Sequence, residues 1–304
     1  MPSSPNASRS ADAAGAAPAG ADGLPDLTSA RVVRSLLARH GLAADKGFGQ
    51  HFLTDRAALE AIAAAAELGP EDEVWEVGPG LGTLTRELAR RAGRVVAVEL
   101  DARLLPVLAE TLAPWPHVRI VQGDALQVDL APTAAAATFV ANLPYNVGTA
   151  VLARVLASGR FRRAVVLVQR EVGERLVAAA GTPAFGSLSL WVAHHGRARI
   201  LRWVPPGAFL PPPKVTSAVV RIDLDPDVRP DPLTFAVVRD GFRHRRKTLV
   251  ANLRAAGDDP DLVRVALTEL AIDPRARAET LDLAAFRRLA RRIRPEAGEA
   301  GDGA

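Results

Sequence analysis

The run Val74-Trp75-Glu76-Val77 breaks into Gly78-Pro79-Gly80-Leu81-Gly82, and Thr83 opens a helical pattern that lasts to about residue 91. A strand that turns on glycines and re-emerges as a helix is the opening of an alternating α/β unit. The alternation continues, with short apolar runs at 95–99, 118–122, 138–141 and 164–169 reading as strands. Helical patterns fall at 101–112, 150–157, 170–179 and 188–194. Strands separated by helices of this length predict a parallel, doubly wound sheet. The last two extended runs, 200–204 and 218–224, are joined by a proline-rich loop instead of a helix, which predicts an antiparallel pair at the sheet's edge. Two helices precede the sheet. Thr28 or Ser29 caps the first, whose stripe is Val32, Val33, Leu36 and Leu37 and which Gly41 ends; Thr54 or Asp55 caps the second, through Leu59, Ile62 and Ala66.

Beyond residue 225 the pattern changes. Residues 225–232 are dense in Pro and Asp and read as a linker, followed by helical patterns only, at about 233–243, 246–256, 262–270 and 283–293. The expected organisation is therefore a catalytic α/β domain over 27–225 and a small all-helical domain over 226–294. Residues 1–26 and 295–304, rich in Ala, Gly, Ser, Pro and acidic residues, are expected to be disordered tails. No uncharged apolar run is long enough to span a membrane, and residues 1–26 lack the basic start and apolar core of a secretory signal. The absence of cysteine excludes disulfides, thiolate metal sites and a cysteine nucleophile, and is compatible with a cytoplasmic location. The six histidines show no metal-ligand spacing, so no catalytic metal is expected. Between Arg229 and Arg294, fifteen Arg and Lys face nine Asp and Glu, while the whole chain carries +4. That concentration of positive charge points the helical domain toward a polyanion.

The glycine turn alone is ambiguous, since Gly78, Gly80 and Thr83 nearly satisfy a dinucleotide fingerprint. Glu99 ends the second strand, where a carboxylate can accept both hydroxyls of an adenosine ribose. Three details favour S-adenosylmethionine (AdoMet) over NAD. The acidic Glu76 stands before the glycines, where negative charge suits a sulfonium and an ammonium better than a pyrophosphate. Asp124 follows the third strand and can accept from the adenine amino group. The fourth strand ends in Asn142-Leu143-Pro144-Tyr145. All four features fall at C-terminal strand ends, where open sheets of this kind bind ligands. In the fourth, the Asn142 side-chain oxygen and the Pro144 carbonyl could accept two hydrogen bonds from one amino group, and Tyr145 could stack on the ring that carries it. The bland alternative is a strand end and a turn, because Asn and Pro are common turn residues.

Taken together, these stretches resemble the ribosomal RNA adenine dimethyltransferases, and most closely the bacterial small-subunit enzymes linked to kasugamycin sensitivity. The resemblance rests on Gly49-Gln50-His51-Phe52-Leu53, the 76–82 turn, Gly123-Asp124-Ala125, Asn142-Leu143-Pro144-Tyr145-Asn146, Phe209-Leu210-Pro211-Pro212-Pro213-Lys214-Val215 and Arg245-Arg246-Lys247-Thr248-Leu249, and spans about residues 36–292. It implies a Rossmann-like class I AdoMet-dependent methyltransferase sheet with a helical RNA-binding domain. It implies cofactor contacts at His51, Leu53, Gly78, Glu99, Asp124 and Asn142. Asn142, Pro144 and Tyr145 would hold the target base, and residues 209–215 would close over it. Arg243, Arg245, Arg246 and Lys247 would meet RNA phosphates. The implied reaction is methyl transfer to N6 of two adjacent adenosines near the 3′ end of small-subunit (16S) ribosomal RNA, presented free or in a pre-assembled subunit, by a monomer. The alternatives are a large-subunit (23S) adenine methyltransferase of the antibiotic-resistance type, a DNA adenine methyltransferase, for which no separate target-recognition domain is seen, and a non-catalytic RNA-binding assembly factor. Three positions depart from the pattern: His51 where many relatives have Asn, Thr216 where Asp is usual, and Ala150 where Pro is frequent.

Overall fold

The computed structural model describes residues 23–45, 47, 49–134 and 136–295. Its elements run α1 (Ala30–Arg39), β1 (Phe52–Leu53), α2 (Arg56–Ala66), β2 (Glu73–Val77), α3 (Thr83–Ala89), β3 (Arg94–Glu99), α4 (Leu105–Leu112), β4 (Val118–Gln122), β5 (Ala137–Asn142), α5 (Gly148–Ser158), β6 (Phe161–Gln169), α6 (Arg170–Leu176), α7 (Ser187–His195), β7 (Gly196–Val204), β8 (Phe209–Leu210) and β9 (Ser217–Leu224). Four helices follow: α8 (Pro232–Gly241), α9 (Leu249–Ala255), α10 (Pro260–Glu269) and α11 (Leu283–Ile293).

Seven strands form one sheet in the order β4-β3-β2-β5-β6-β9-β7. β2, β3, β4, β5 and β6 are parallel, and β9 runs antiparallel between β6 and β7. The strand order reverses between β2 and β5, so a crevice opens above the carboxyl ends of these two neighbours. Strand residues buried on both faces explain the near-continuous apolar runs: all five residues of β2 are buried, as are Ala137 to Ala141 of β5. One core packs α5, α6 and α7 against one face of the sheet, around Phe139, Val166 and Val220. The other packs α2 and α3 against the opposite face, around Ile62, Val74, Val165 and Val219.

Four differences from the sequence reading have physical causes. β1 and β8 form a separate two-stranded antiparallel sheet, Phe52 opposite Leu210 and Leu53 opposite Phe209; two-residue strands are too short to show a period. The helix expected from Asp101 starts as a 3-10 turn over Ala102–Leu104, with Asp101 capping it through Arg103 N–H, and α4 begins only at Leu105 with a proline in its first turn. Residues 23–26, assigned to the tail, are held: the Pro25 carbonyl accepts from Arg86 at 2.7 Å, and Asp26 accepts from the Thr28 hydroxyl and from Arg56. Residues 1–22 and 296–304 lie outside the described residues, as do Lys46 and Phe48 of the glycine loop. Finally, α9 starts at Leu249, not Arg246, because Thr248 caps it by accepting from Ala251 N–H. Residues 243–247 therefore sit on the turn between α8 and α9. The four late helices bury Leu249, Leu253, Phe286 and Leu289 together and borrow Phe185 and Leu190, so their core draws on residues that precede the 225–232 linker.

Candidate active site

The β2–α3 turn is built for close approach. Gly78, Gly80 and Gly82 all have positive φ, at 71°, 60° and 87°, a region that costs L-residues energy and glycine nothing. Gly78 N–H donates to the Val98 carbonyl at 2.9 Å, which fixes the turn against β3. One cleft lies over this turn, and His51, Leu53, Gly78, Glu99, Asp124, Asn142, Pro144 and Tyr145 all line it. All the expected cofactor and target-base residues are thereby brought together from five separate segments of chain.

The acids in the wall differ in state. Glu99 Oε1 accepts from Asp101 N–H at 2.8 Å and Oε2 from Gly80 N–H at 3.2 Å, so the carboxylate is locked at the strand end with its remaining lone pairs open. Burial nevertheless raises its pKa. Asp124 is half-buried and accepts from Leu126 N–H at 2.8 Å. Glu76 is 1 % exposed, and its Oε2 has no hydrogen-bond partner among the described residues. Burial pushes its pKa up to about 8, with the Thr85 hydroxyl nearby opposing the shift and the Glu99 charge adding to it. A buried, unpartnered carboxylate oxygen in the wall of a cleft is costly unless a ligand supplies the missing donor or positive charge. That orphaned atom, with the open lone pairs of Glu99, fits a ligand that carries both a cation and vicinal hydroxyls, as AdoMet does.

Asn142 ends β5 and is half-exposed on the cleft. Its Nδ2 donates to the His51 carbonyl at 3.1 Å, so the amide oxygen is left as the free acceptor. The Pro144 carbonyl, expected to be the second acceptor, already receives Gly148 N–H at 2.8 Å in the turn that starts α5. The Leu143 carbonyl, one residue earlier, has no partner among the described residues, and Leu143 also lines the cleft. Leu143 thus offers the carbonyl left without a partner, while Pro144 keeps one lone pair beyond its bond to Gly148; the sequence could not tell the two apart because every residue has a carbonyl. The Pro144 ring packs toward the turn, 3.7 Å from where a Cβ on Gly78 would stand.

Tyr145 is held at both ends. Its hydroxyl lies 2.6 Å from Ser217 Oγ, and burial raises its pKa. Its ring stacks on His51, with centroids 5.3 Å apart and planes 28° from parallel. His51 Nδ1 donates to the Pro211 carbonyl at 2.8 Å, so the 209–215 segment, through β8 and this bond, is tied to the wall of the cleft. Three contributors went unnoticed in the sequence. Ser217 anchors Tyr145. Gln50 accepts from Asp45 N–H and donates to Asp101, which gives that capping residue a second task. Leu100, 54 % exposed, gives the cleft an apolar surface beside Glu99. Among the described residues no group of His, Asp and Glu could hold a metal ion.

The basic residues form a separate surface. Arg243, Arg245, Arg246 and Lys247 are all exposed. Arg245 donates to the Pro183 carbonyl at 2.8 Å; Arg243, Arg246 and Lys247 have no side-chain partner among the described residues. No helix among the described residues is long and apolar enough to cross a membrane.

The ribosomal RNA adenine dimethylase family matches residues 41–294 of the chain. The chain is 46 % identical over 274 residues to the ribosomal RNA small subunit methyltransferase A of Deinococcus radiodurans, covering 90 % of this chain and 94 % of that one. It is 39 % identical over 290 residues to the protein of the same name from Geobacillus kaustophilus, covering 90 % and 99 %. Among solved structures it is similar to the 23S rRNA methyltransferase ErmE, with a TM-score of 0.63 and 27 % identity over 79 % of this chain and 98 % of that one. A dimethyladenosine transferase from Plasmodium falciparum shares the fold, with a TM-score of 0.67 and 24 % identity over 78 % and 95 %.

Proposed function

The chain belongs to the ribosomal RNA adenine dimethylase family, and from that premise we propose that it is the AdoMet-dependent enzyme that dimethylates N6 of two adjacent adenosines near the 3′ end of small-subunit ribosomal RNA, in the cytoplasm. The observation that carries this reading is the pair of open acceptors, Asn142 Oδ1 and the Leu143 carbonyl, beside a ring held by Ser217. AdoMet, when bound, supplies a methyl group on a cationic sulfur that a nucleophile can displace. Glu99 would hold the ribose hydroxyls, Asp124 the adenine amino group and Glu76 the positive charge, with Gly78 leaving room for the chain of the ligand. His51 and Leu53 would close the cleft from β1.

The lone pair of an adenine N6 is delocalised into its ring, which makes it a poor nucleophile. Two acceptors that bind its hydrogens favour a pyramidal nitrogen and direct its lone pair into the cleft. Asn142 can do this without moving, because the His51 carbonyl has already fixed its amide. The proton lost from the methylated nitrogen is acidic enough to leave to water, so no strong base is needed. Catalysis is then positioning, a contribution that reaches about 7–11 kcal/mol in favourable cases. Tyr145 offsets part of the cost of taking the base out of its stack; base–aromatic stacking is worth roughly 1–3 kcal/mol. A ring fixed at its hydroxyl and on one face loses little entropy on binding.

The deciding experiment is transfer of a labelled methyl group from AdoMet to unmethylated small subunits, large subunits and naked ribosomal RNA in parallel, followed by nucleoside analysis. Dimethyladenosine in small-subunit RNA is the expected product. Label confined to large-subunit RNA would make the chain a resistance-type enzyme, and tight RNA binding with no transfer would make it an assembly factor. The higher identity to small-subunit enzymes than to ErmE favours the first outcome.

On the exposed turn 243–247, Arg243, Arg246 and Lys247 have no side-chain partner among the described residues, whereas Arg245 is tied to the Pro183 carbonyl. Changing Arg243, Arg246 and Lys247 together to Gln should lower the slope of log affinity for RNA against log salt by about 0.7–0.9 per lost phosphate contact. AdoMet affinity, read by calorimetry, should not move. An unaltered slope would return these residues to an ordinary solvated surface.

A further inference from the structure

The edge strand β7 carries charge and aromatic surface that neither the fold nor the methyl-transfer chemistry uses. Its register against β9 sets Arg197 opposite Asp223, Arg199 opposite Arg221 and Arg202 opposite Val219. A register shift between Ile200 and Arg202 brings the third arginine back into phase, so all three project from the α2 face of the sheet. The acids on that face are already engaged: Glu67 and Asp223 each pair with both Arg163 and Arg221. Arg197, Arg199 and Arg202 are exposed and have no ion pair among the described residues. Trp203 lies opposite Ala218 and so projects from the other face, 44 % exposed, with the Arg170 guanidinium 5.3 Å from its ring centre.

This platform adjoins the target-base site. Arg170 N–H donates to the Thr216 carbonyl at 2.9 Å. The next residue, Ser217, is the register partner of Val204 and holds the Tyr145 hydroxyl. We infer that β7 is a second RNA-contact surface, with Arg197, Arg199 and Arg202 tracking phosphates of the substrate RNA and Trp203 stacking on an unpaired base that flanks the methylated one. The inference rests on the reading of the chain as an RNA methyltransferase and deepens it. Arginines on an open strand edge have a plainer role, because charge discourages edge-to-edge association. That role does not explain Trp203 and Leu201, both exposed on the same strand, since large apolar groups on an edge invite the association that charge prevents. Arginines on one face of an open edge and an exposed indole on the other, with Arg170 beside it, suit a single strand that wraps the edge, phosphate on cation and base on ring.

The test compares the wild type with Trp203→Ala, Trp203→Phe and the triple variant Arg197→Gln, Arg199→Gln, Arg202→Gln. RNA affinity is measured against salt by fluorescence anisotropy on the small-subunit RNA that the wild type methylates. Trp203→Ala should weaken binding about tenfold at every salt concentration without changing the slope, and Trp203→Phe should restore most of it. The triple variant should flatten the slope by roughly two units. AdoMet affinity should be unchanged in all three. Wild-type protein photocrosslinked to thiouridine-substituted RNA should yield a crosslinked peptide containing 197–203, which needs no variant to fold. Unchanged affinity and slope, crosslinks only elsewhere, or a change in sedimentation in place of RNA affinity would each overturn the inference, the last by showing that β7 meets a second copy of the chain. If the wild type itself methylates no RNA, the proposed function fails first; if it does and the β7 variants behave like it, only the second surface is lost.

Discussion

Asn142→Ala should lower the rate of methyl transfer by at least about 10²–10³-fold in single-turnover assays while leaving the AdoMet dissociation constant within about tenfold of the wild type. The asymmetry follows from where the side chain's two ends point. Nδ2 is spent on the His51 carbonyl at 3.1 Å, which leaves Oδ1 as the group that can meet a target amine. Alanine removes that acceptor at the reacting nitrogen. The groups expected to hold the cofactor's ribose and positive charge, Glu99 and Glu76, stay in place. Loss of one preorganised partner to a reacting atom appears in the chemical step, not in ground-state binding. Asn142→Asp gives a sharper reading. It keeps an acceptor but loses the donor to His51, so a carboxylate would face a backbone carbonyl and swing away from its position. Its activity should fall between wild type and alanine, and tight RNA binding should persist in both variants. Turnover equal to wild type in Asn142→Ala would take this residue out of the chemistry and leave the Leu143 carbonyl without its companion.

The same neighbourhood shows what a sequence can and cannot disclose. Gly78, Gly80 and Gly82 were legible because positive φ leaves a compositional mark, and all three adopt it. The places of Glu99, Asp124 and Asn142 on the cleft were legible because each ends an apolar run or follows one within two residues. The identity of the second acceptor was not, since the choice between the Leu143 and Pro144 carbonyls depends on which one Gly148 N–H reaches. Contacts between distant segments were equally hidden. Tyr145 and Ser217 are 72 residues apart, Gln50 and Asp101 51 apart, and the β1–β8 pair joins two-residue strands. Such pairings are settled by the sheet order, which places β9 beside β6 and so brings Ser217 to the rim above β5. The boundary of α9 failed for a local reason: Arg246 and Lys247 suit a helix as well as Leu249 does, and only the Thr248 cap decides where it starts.

Glu76→Gln should make the cofactor-free protein more stable at high pH and weaken its hold on AdoMet, and both effects come from one carboxyl. Burial pushes the Glu76 pKa up to about 8 in the folded chain, against an ordinary value of 4.5 when unfolded. Between those two values the folded state keeps a proton that the unfolded state has released. Its contribution to stability is therefore full below about pH 4.5, declines as pH rises, and is gone above about pH 8. At about 1.4 kcal/mol per unit, the loss amounts to a few kcal/mol by pH 9. Glutamine cannot ionise, so thermal melting of Glu76→Gln should match wild type near pH 5 and exceed it at pH 9. Cofactor binding reverses the sign. A sulfonium or ammonium beside Oε2 favours the ionised carboxyl, so binding should release up to one proton and tighten as pH rises toward 8. Calorimetry in buffers of different ionisation enthalpy counts that proton, and Glu76→Gln should reduce it together with the pH dependence, leaving whatever the buried Glu99 contributes. A wild-type protein that takes up AdoMet with no proton release at pH 7, and with an affinity flat from pH 6 to 8, would show that the positive charge of the cofactor is met by some group other than the orphaned oxygen of Glu76.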